Sequence, residues 1–165
     1  MRILGIDPGL DVTGYGVVEG TVRSTVVIEA GIIRSSSKDH LAQRLKSIHS
    51  QLSRLIDQTS PDVCVVEKLY SHYKHPMTAI LMGHARGVVL HSCSQKDLET
   101  VDYPAKTVKR AVTGNGNASK MQVQRVINRF LNLSDDARPV DVTDALALCL
   151  THLHHSNKNK EVVRV

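Results

Sequence analysis

Four acidic residues stand where their chemistry is hard to ignore: Asp7 in "LGIDPG", Glu67 in "VCVVE", and Asp141 with Asp144 in "DVTD". Asp7 closes the apolar run Ile3, Leu4, Ile6 and is followed by the turn pair Pro8-Gly9. Glu67 ends a wholly apolar run, and a Glu so placed is rarely buried without a partner. Asp141 and Asp144 are three residues apart at a helix start, so they share one helix face. Four carboxylates drawn together would repel one another unless cations held them, and Mg²⁺ favours carboxylate oxygens while keeping several waters. Two such ions, about 3.5 to 4 Å apart, would activate a water and stabilise the leaving oxygen of a phosphodiester. That is nuclease chemistry. Three of these acids also have an ordinary structural reading. Asp7 can be a turn residue, and Asp141 and Asp144 can be an N-cap and an N3 acid that suit the helix dipole. Their joint placement is what favours a metal site.

For these acids to meet, the first and fourth strands must be parallel neighbours that end at one sheet edge. Residues 2–7, about 13–19 and about 22–34 read as three strands in an antiparallel meander, with Pro8-Gly9 and Glu19-Gly20 as turns. From 38 to 58 the residues Leu41, Leu45, Ile48, Leu52, Leu55 and Ile56 recur at helical spacing. Ser60-Pro61-Asp62 stops this crossover helix, and a strand at 63–67 after it should run parallel to its neighbour. A polar, basic loop at 68–76 leads to a helix at about 76–95, a fifth strand at about 98–103 and a short helix from Pro104 to about 112. "TGNGNASK" is a turn before a helix at 118–131, and the last helix starts near Asp141. The order βββαβαβααα predicts an α/β domain with a five-stranded mixed sheet over residues 1–156, followed by a short polar, basic tail at 157–165.

The composition agrees with one globular domain: 165 residues, 41% hydrophobic and 22% charged. Phe130 and four tyrosines are the only aromatics, so the core must be aliphatic. No apolar run approaches the roughly 18 residues a membrane span needs, and the chain reads as soluble, non-exported and cytoplasmic. Cys64, Cys93 and Cys149 lack CxxC spacing and lie in apolar segments, which predicts buried reduced thiols. A net charge of +5, from 21 Lys and Arg against 16 acids, favours a polyanionic partner.

The motifs "GIDPGLDVTGYGV", "VVEKLY", "GHARGVV", "YPAKTVKRAVTGNGNASKMQVQ" and "DVTDALALCLTH", taken together in this order, resemble the RuvC family of bacterial Holliday junction resolvases in the RNase H-like superfamily. The resemblance spans nearly the whole chain. It implies Asp7, Glu67, Asp141 and Asp144 as catalytic Mg²⁺ ligands, with two ions per subunit and Mn²⁺ as a substitute. It further implies a homodimer that makes paired nicks across a four-way DNA junction, in company with a branch-migration motor (RuvA and RuvB). Lys109 and Lys120 match lysines that the family places near the scissile strand, and Tyr70 matches a loop aromatic, commonly Phe, that meets unstacked bases. Gly83, Ala85 and Gly87 are small residues that suit close packing, either on the chain's own sheet or on a second copy, since they fall on the helix where the family makes its dimer contact. The amides of "TGNGNASK" could meet a phosphate, or the segment could be a plain turn. His152, His154 and His155 fit a surface helix end better than a metal cluster, and His72, His75 and His84 have no assigned role.

Three other readings compete. A phosphate loop of the actin-like ATPase kind would need a second lobe, which this length does not provide. An RNA-processing RNase H-like enzyme and a catalytically silent DNA-binding module are separated from a resolvase by substrate and by metal-dependent turnover.

Overall fold

Alternation along β1 (Arg2–Asp7) sends Ile3 to one face of the sheet and Leu4 and Ile6 to the other, and all three are fully buried. A strand apolar on both faces needs a helical layer on each side. The computed structural model, which describes residues 1–69, 76–132 and 139–162 and side chains as far as Ser156, supplies them. β1 lies at the centre of a five-stranded sheet of order β3-β2-β1-β4-β5. β2 (Val12–Thr21) and β3 (Ser24–Arg34) complete the antiparallel meander, with a register shift at Val17/Val18. β4 (Val63–Glu67) and β5 (Thr100–Tyr103) are parallel to β1. The mixed α/β plan and the parallel pairing of the first and fourth strands therefore stand as the sequence predicts.

One layer consists of α1 (Leu41–Thr59) and α2 (Pro76–Ser94), whose Ile48, Leu52, Ala85 and Val89 pack on Leu4, Ile6, Cys64 and Val66. The opposite layer is α3 (Ala105–Thr113), α4 (Lys120–Phe130) and α5 (Val140–Val162). Here Val108, Ile127 and Leu146 cover Ile3, Val63 and Val65. The core is aliphatic throughout, and the three cysteines are buried free thiols. Among the described residues no helix is long and apolar enough to cross a membrane.

Several boundaries differ from the sequence reading for identifiable reasons. α1 begins at Leu41 rather than near 38, because His40 is extended and its amide donates to Gln43 Oε1 at 3.4 Å. α5 continues as helix to Val162, through most of the segment set apart as a tail. Lys and Glu propagate a helix nearly as readily as Leu, so polarity alone does not end one. His152, His154 and His155 consequently lie within a helix, not at its end. The small residues of α2 also divide: Ala85 is buried against the chain's own sheet, whereas Gly83 and Gly87 meet nothing within 4 Å of an added Cβ.

Candidate active site

Parallel pairing of Ile6 with Val66 brings the next residues, Asp7 and Glu67, to the same edge of the sheet. The other two acids arrive on α5 through an unusually close approach of helix to sheet. Gly14 stands opposite Asp7 in the β1–β2 ladder. A Cβ on Gly14 would lie 2.1 Å from the carbonyl oxygen of Asp141, and one on Gly5 would lie 2.1 Å from that of Ala145. Residues without side chains at these two positions let the helix backbone rest on the strands. The first turn of α5, with Asp141 in it, is thereby set over the end of β1. Since α5 starts at Val140, Asp141 lies within the helix and is not its N-cap.

All four acids line one cavity of about 480 Å³, together with Lys109 from α3 and Lys120 from α4. The electrostatics follow from crowding. Asp7 is pushed up to about 7 by burial first, then by the charges of Glu67, Asp144 and Asp141, with Lys120 acting in the opposite sense. Glu67 is likewise raised, by burial and by Asp144, while Lys120 and Lys109 oppose the shift. Partial burial works against the charge on Lys120. Its hydrogen bond to Asp144 and the charges of Asp144, Asp7 and Glu67 outweigh this and raise it above the ordinary lysine range. Lys120 Nζ donates to Asp144 Oδ2 at 3.0 Å, from a side chain that is itself 70% exposed.

An acid cluster held partly against its own ionisation fits a hard divalent cation, which favours the charged carboxylates that burial opposes. No group of three or more His, Cys, Asp or Glu side chains among the described residues stands as a preformed metal cage. Mutual repulsion works against such closure without a cation, and Mg²⁺, which retains several waters, does not demand it.

Two features near the site were not apparent from the sequence. Arg86 of α2 donates through Nε to the Glu67 carbonyl at 3.4 Å and through Nη2 to Asp102 at 3.2 Å, tying the ends of β4 and β5 to the helix behind them. The "TGNGNASK" turn is largely bonded to itself. The amides of Asn117 and Ala118 donate to Asn115, and Ser119 and Gln122 form a reciprocal capping box at 2.8 and 3.2 Å. This supports the plain turn over a ready phosphate cradle. His152 lies away from the acids, in a hydrogen bond with the Tyr103 hydroxyl at 3.0 Å, and burial lowers it below the usual histidine range. Its neighbour His155 packs near the same tyrosine, with ring centroids 5.1 Å apart. Tyr70, His72 and His75 lie outside the described residues.

The chain is similar to known proteins along nearly its whole length. A family model described as crossover junction endodeoxyribonuclease RuvC matches residues 3–152. A protein of that name from Rhodopirellula baltica is 43% identical over 148 residues, covering 90% of this chain and 83% of the relative. Another from Halothermothrix orenii is 42% identical over 161 residues, covering 98% and 97%. Among solved structures, T. thermophilus RuvC in complex with Holliday junction substrate superposes with a TM-score of 0.90 at 28% identity, covering 96% of each chain. The yeast mitochondrial Holliday junction resolvase Ydc2 shares the fold, with a TM-score of 0.69 at 13% identity over 97% of this chain and 82% of that one.

Proposed function

The chain belongs to the RuvC family of crossover junction endodeoxyribonucleases, and from that premise we propose that Asp7, Glu67, Asp141 and Asp144 form the catalytic centre of this Holliday junction resolvase. It is a metal-dependent endonuclease of homologous recombination and repair. The four carboxylates would hold Mg²⁺, two ions per subunit, with Mn²⁺ able to substitute. When bound, the metal supplies Lewis-acid stabilisation of the scissile phosphodiester and makes a water acidic enough to act as nucleophile.

The chain's own groups prepare that site. Asp7 and Glu67 are presented from adjacent strand ends, and Asp141 and Asp144 from a helix seated on glycine. The apolar side chains Val108 and Leu148 contribute to the cavity wall and help keep the acids desolvated. Lys109 and Lys120 place ammonium groups in the same cavity, where they can neutralise the phosphate and the charge that develops on it. Lys120 is oriented by Asp144. Tyr70 is assigned to stacking on unpaired bases at the junction centre.

Paired nicks require two such sites related by a two-fold axis, hence a homodimer. The α2 surface supports this: Met77 and Ile80 are exposed, and Gly83 and Gly87 leave room for a facing helix. A cytoplasmic setting and a partnership with the RuvA and RuvB branch-migration motor complete the reading.

The convergence of four carboxylates and two lysines on one cavity carries this assignment. It is tested by incubating the purified chain with a synthetic four-way junction and Mg²⁺, with linear duplex and an RNA hybrid as controls. Symmetric nicks confined to the junction and dependent on metal are expected. Equal cutting of linear duplex, preference for the RNA hybrid, or no turnover with any divalent metal would each overturn the reading.

A further inference from the structure

The connection from β1 to β2, with the first residue of β2, forms one wall of the catalytic cavity through Pro8, Gly9 and Val12. It leaves directly from Asp7, so its conformation sets where that carboxylate lies. Successive carbonyls of the connection are tied down. The Thr13 hydroxyl donates to the Gly9 carbonyl at 2.7 Å, the Ser35 hydroxyl to that of Leu10 at 2.6 Å, and the Ser35 amide to that of Asp11 at 3.3 Å. Leu10 itself is buried in the core beneath α1.

These ties lead to a single side chain. Arg44 of α1 donates through Nε to the Ser35 hydroxyl at 2.9 Å and through Nη2 to the Asp11 carboxylate. The Ser35 oxygen thus accepts from Arg44 while its one proton goes to Leu10, which fixes the hydroxyl's orientation. Arg44 is only 12% exposed, whereas Asp11 is 78% exposed. An ion pair so open on its acid side contributes little net stability, and burying the guanidinium carries a desolvation cost. The planar fork does, however, reach two acceptors on two different segments at once, which an ammonium does poorly.

We propose that Arg44 is a positioning residue for catalysis: through Ser35 and Asp11 it fixes residues 8–12 and thereby holds Asp7 in place opposite Glu67, Asp141 and Asp144. The proposal rests on reading those four acids as the metal-binding set. Arg44 touches none of them and acts only through the turn.

The test compares the full-length wild type with Arg44→Met, which keeps the apolar stem, Arg44→Lys, which keeps the charge, and Asp11→Asn. Binding of Mn²⁺ alone is followed by electron paramagnetic resonance well below the melting temperature of every variant. Backbone hydrogen exchange at residues 9–13 and junction cleavage are measured alongside. Arg44→Met should weaken Mn²⁺ binding by about tenfold, as loss of a group that orients a ligand does. It should also speed exchange in the turn and raise the metal concentration needed for cleavage, with Arg44→Lys recovering part of each effect. Asp11→Asn should move the same way by about threefold, roughly 0.6 kcal/mol. Wild-type Mn²⁺ affinity in Arg44→Met, even with a lower melting temperature, would make the residue merely structural and overturn the proposal. A wild type that binds Mn²⁺ but cuts no junction would overturn the functional reading and leave this one to be decided by metal binding and exchange.

Discussion

The carbonyl oxygen of Asp141 occupies the space above Gly14, where a Cβ would approach it to 2.1 Å. Because Gly14 faces Asp7 across the β1–β2 ladder, this contact seats the helix that carries the last two acids on β2, directly beside the strand end that carries the first. Gly14→Ala should push α5 off the sheet, costing about 1–3 kcal/mol as overpacking does, and should abolish cleavage even at temperatures where the variant is fully folded. Thermal melts paired with single-turnover cleavage read both effects. Wild-type rates in Gly14→Ala would show that the acids do not depend on this approach.

Asp7→Asn keeps the shape of the side chain but weakens it as a metal ligand. Nicking should fall below detection while junction binding, measured by mobility shift without divalent metal, stays within about twofold of wild type, roughly 0.4 kcal/mol. Joint loss of binding and folding would instead identify Asp7 as a structural turn residue.

The burial of Asp7 among other acids has a pH signature in the metal-free protein. Its folded value of about 7 lies above the ordinary aspartate value of 3.8, so between those limits the folded state binds more protons than the unfolded chain. Stability from this group is complete below about pH 4 and is lost as pH rises to about 7, by at most about 4 kcal/mol. Glu67, also raised, contributes with the same sign. Denaturant melts across this range should slope less in Asp7→Asn, and saturating Mg²⁺ should flatten the wild-type slope because the ion favours the ionised acids.

Lys109→Ala and Lys120→Ala should each slow cleavage, and each should reduce the salt slope of junction binding by about one. Lys120→Ala should have the larger effect on Asp144, which loses its 3.0 Å partner, so its metal dependence should shift as well. Unchanged single-turnover rates and salt slopes in both variants would make Lys109 and Lys120 ordinary solvated helix-face lysines.

Gly87→Ala separates monomer stability from assembly. The position is open in the monomer, and Ala exceeds Gly in a helix by about 1 kcal/mol. Its melting temperature at low protein concentration should therefore rise. If a second copy packs closely on α2, sedimentation should at the same time show a weaker dimer. A more stable chain that dimerises normally would move the two-fold contact to another surface.

The sequence by itself marked the order of the elements and four acids that the structure brings to one cavity. Apolar runs closing in Asp7 and Glu67 mark strands buried on both faces, and the helical spacing of Leu41, Leu45, Ile48 and Leu52 marks the crossover that makes those strands parallel. These signals are local or involve one chirality rule, so they can be read without coordinates. The polar composition after residue 156 reads as a tail, whereas the backbone of α5 continues as helix to Val162. Only the tertiary structure decided that Gly5 and Gly14 are where α5 rests on the sheet, that Ala85 faces inward while Gly83 and Gly87 face out, and that Arg44 reaches Ser35 and Asp11. Each of these joins residues distant in sequence through a specific helix rotation and depth of packing. Periodicity shows which face of a helix is apolar, but how closely that face approaches the sheet depends on the side chains of both partners at once.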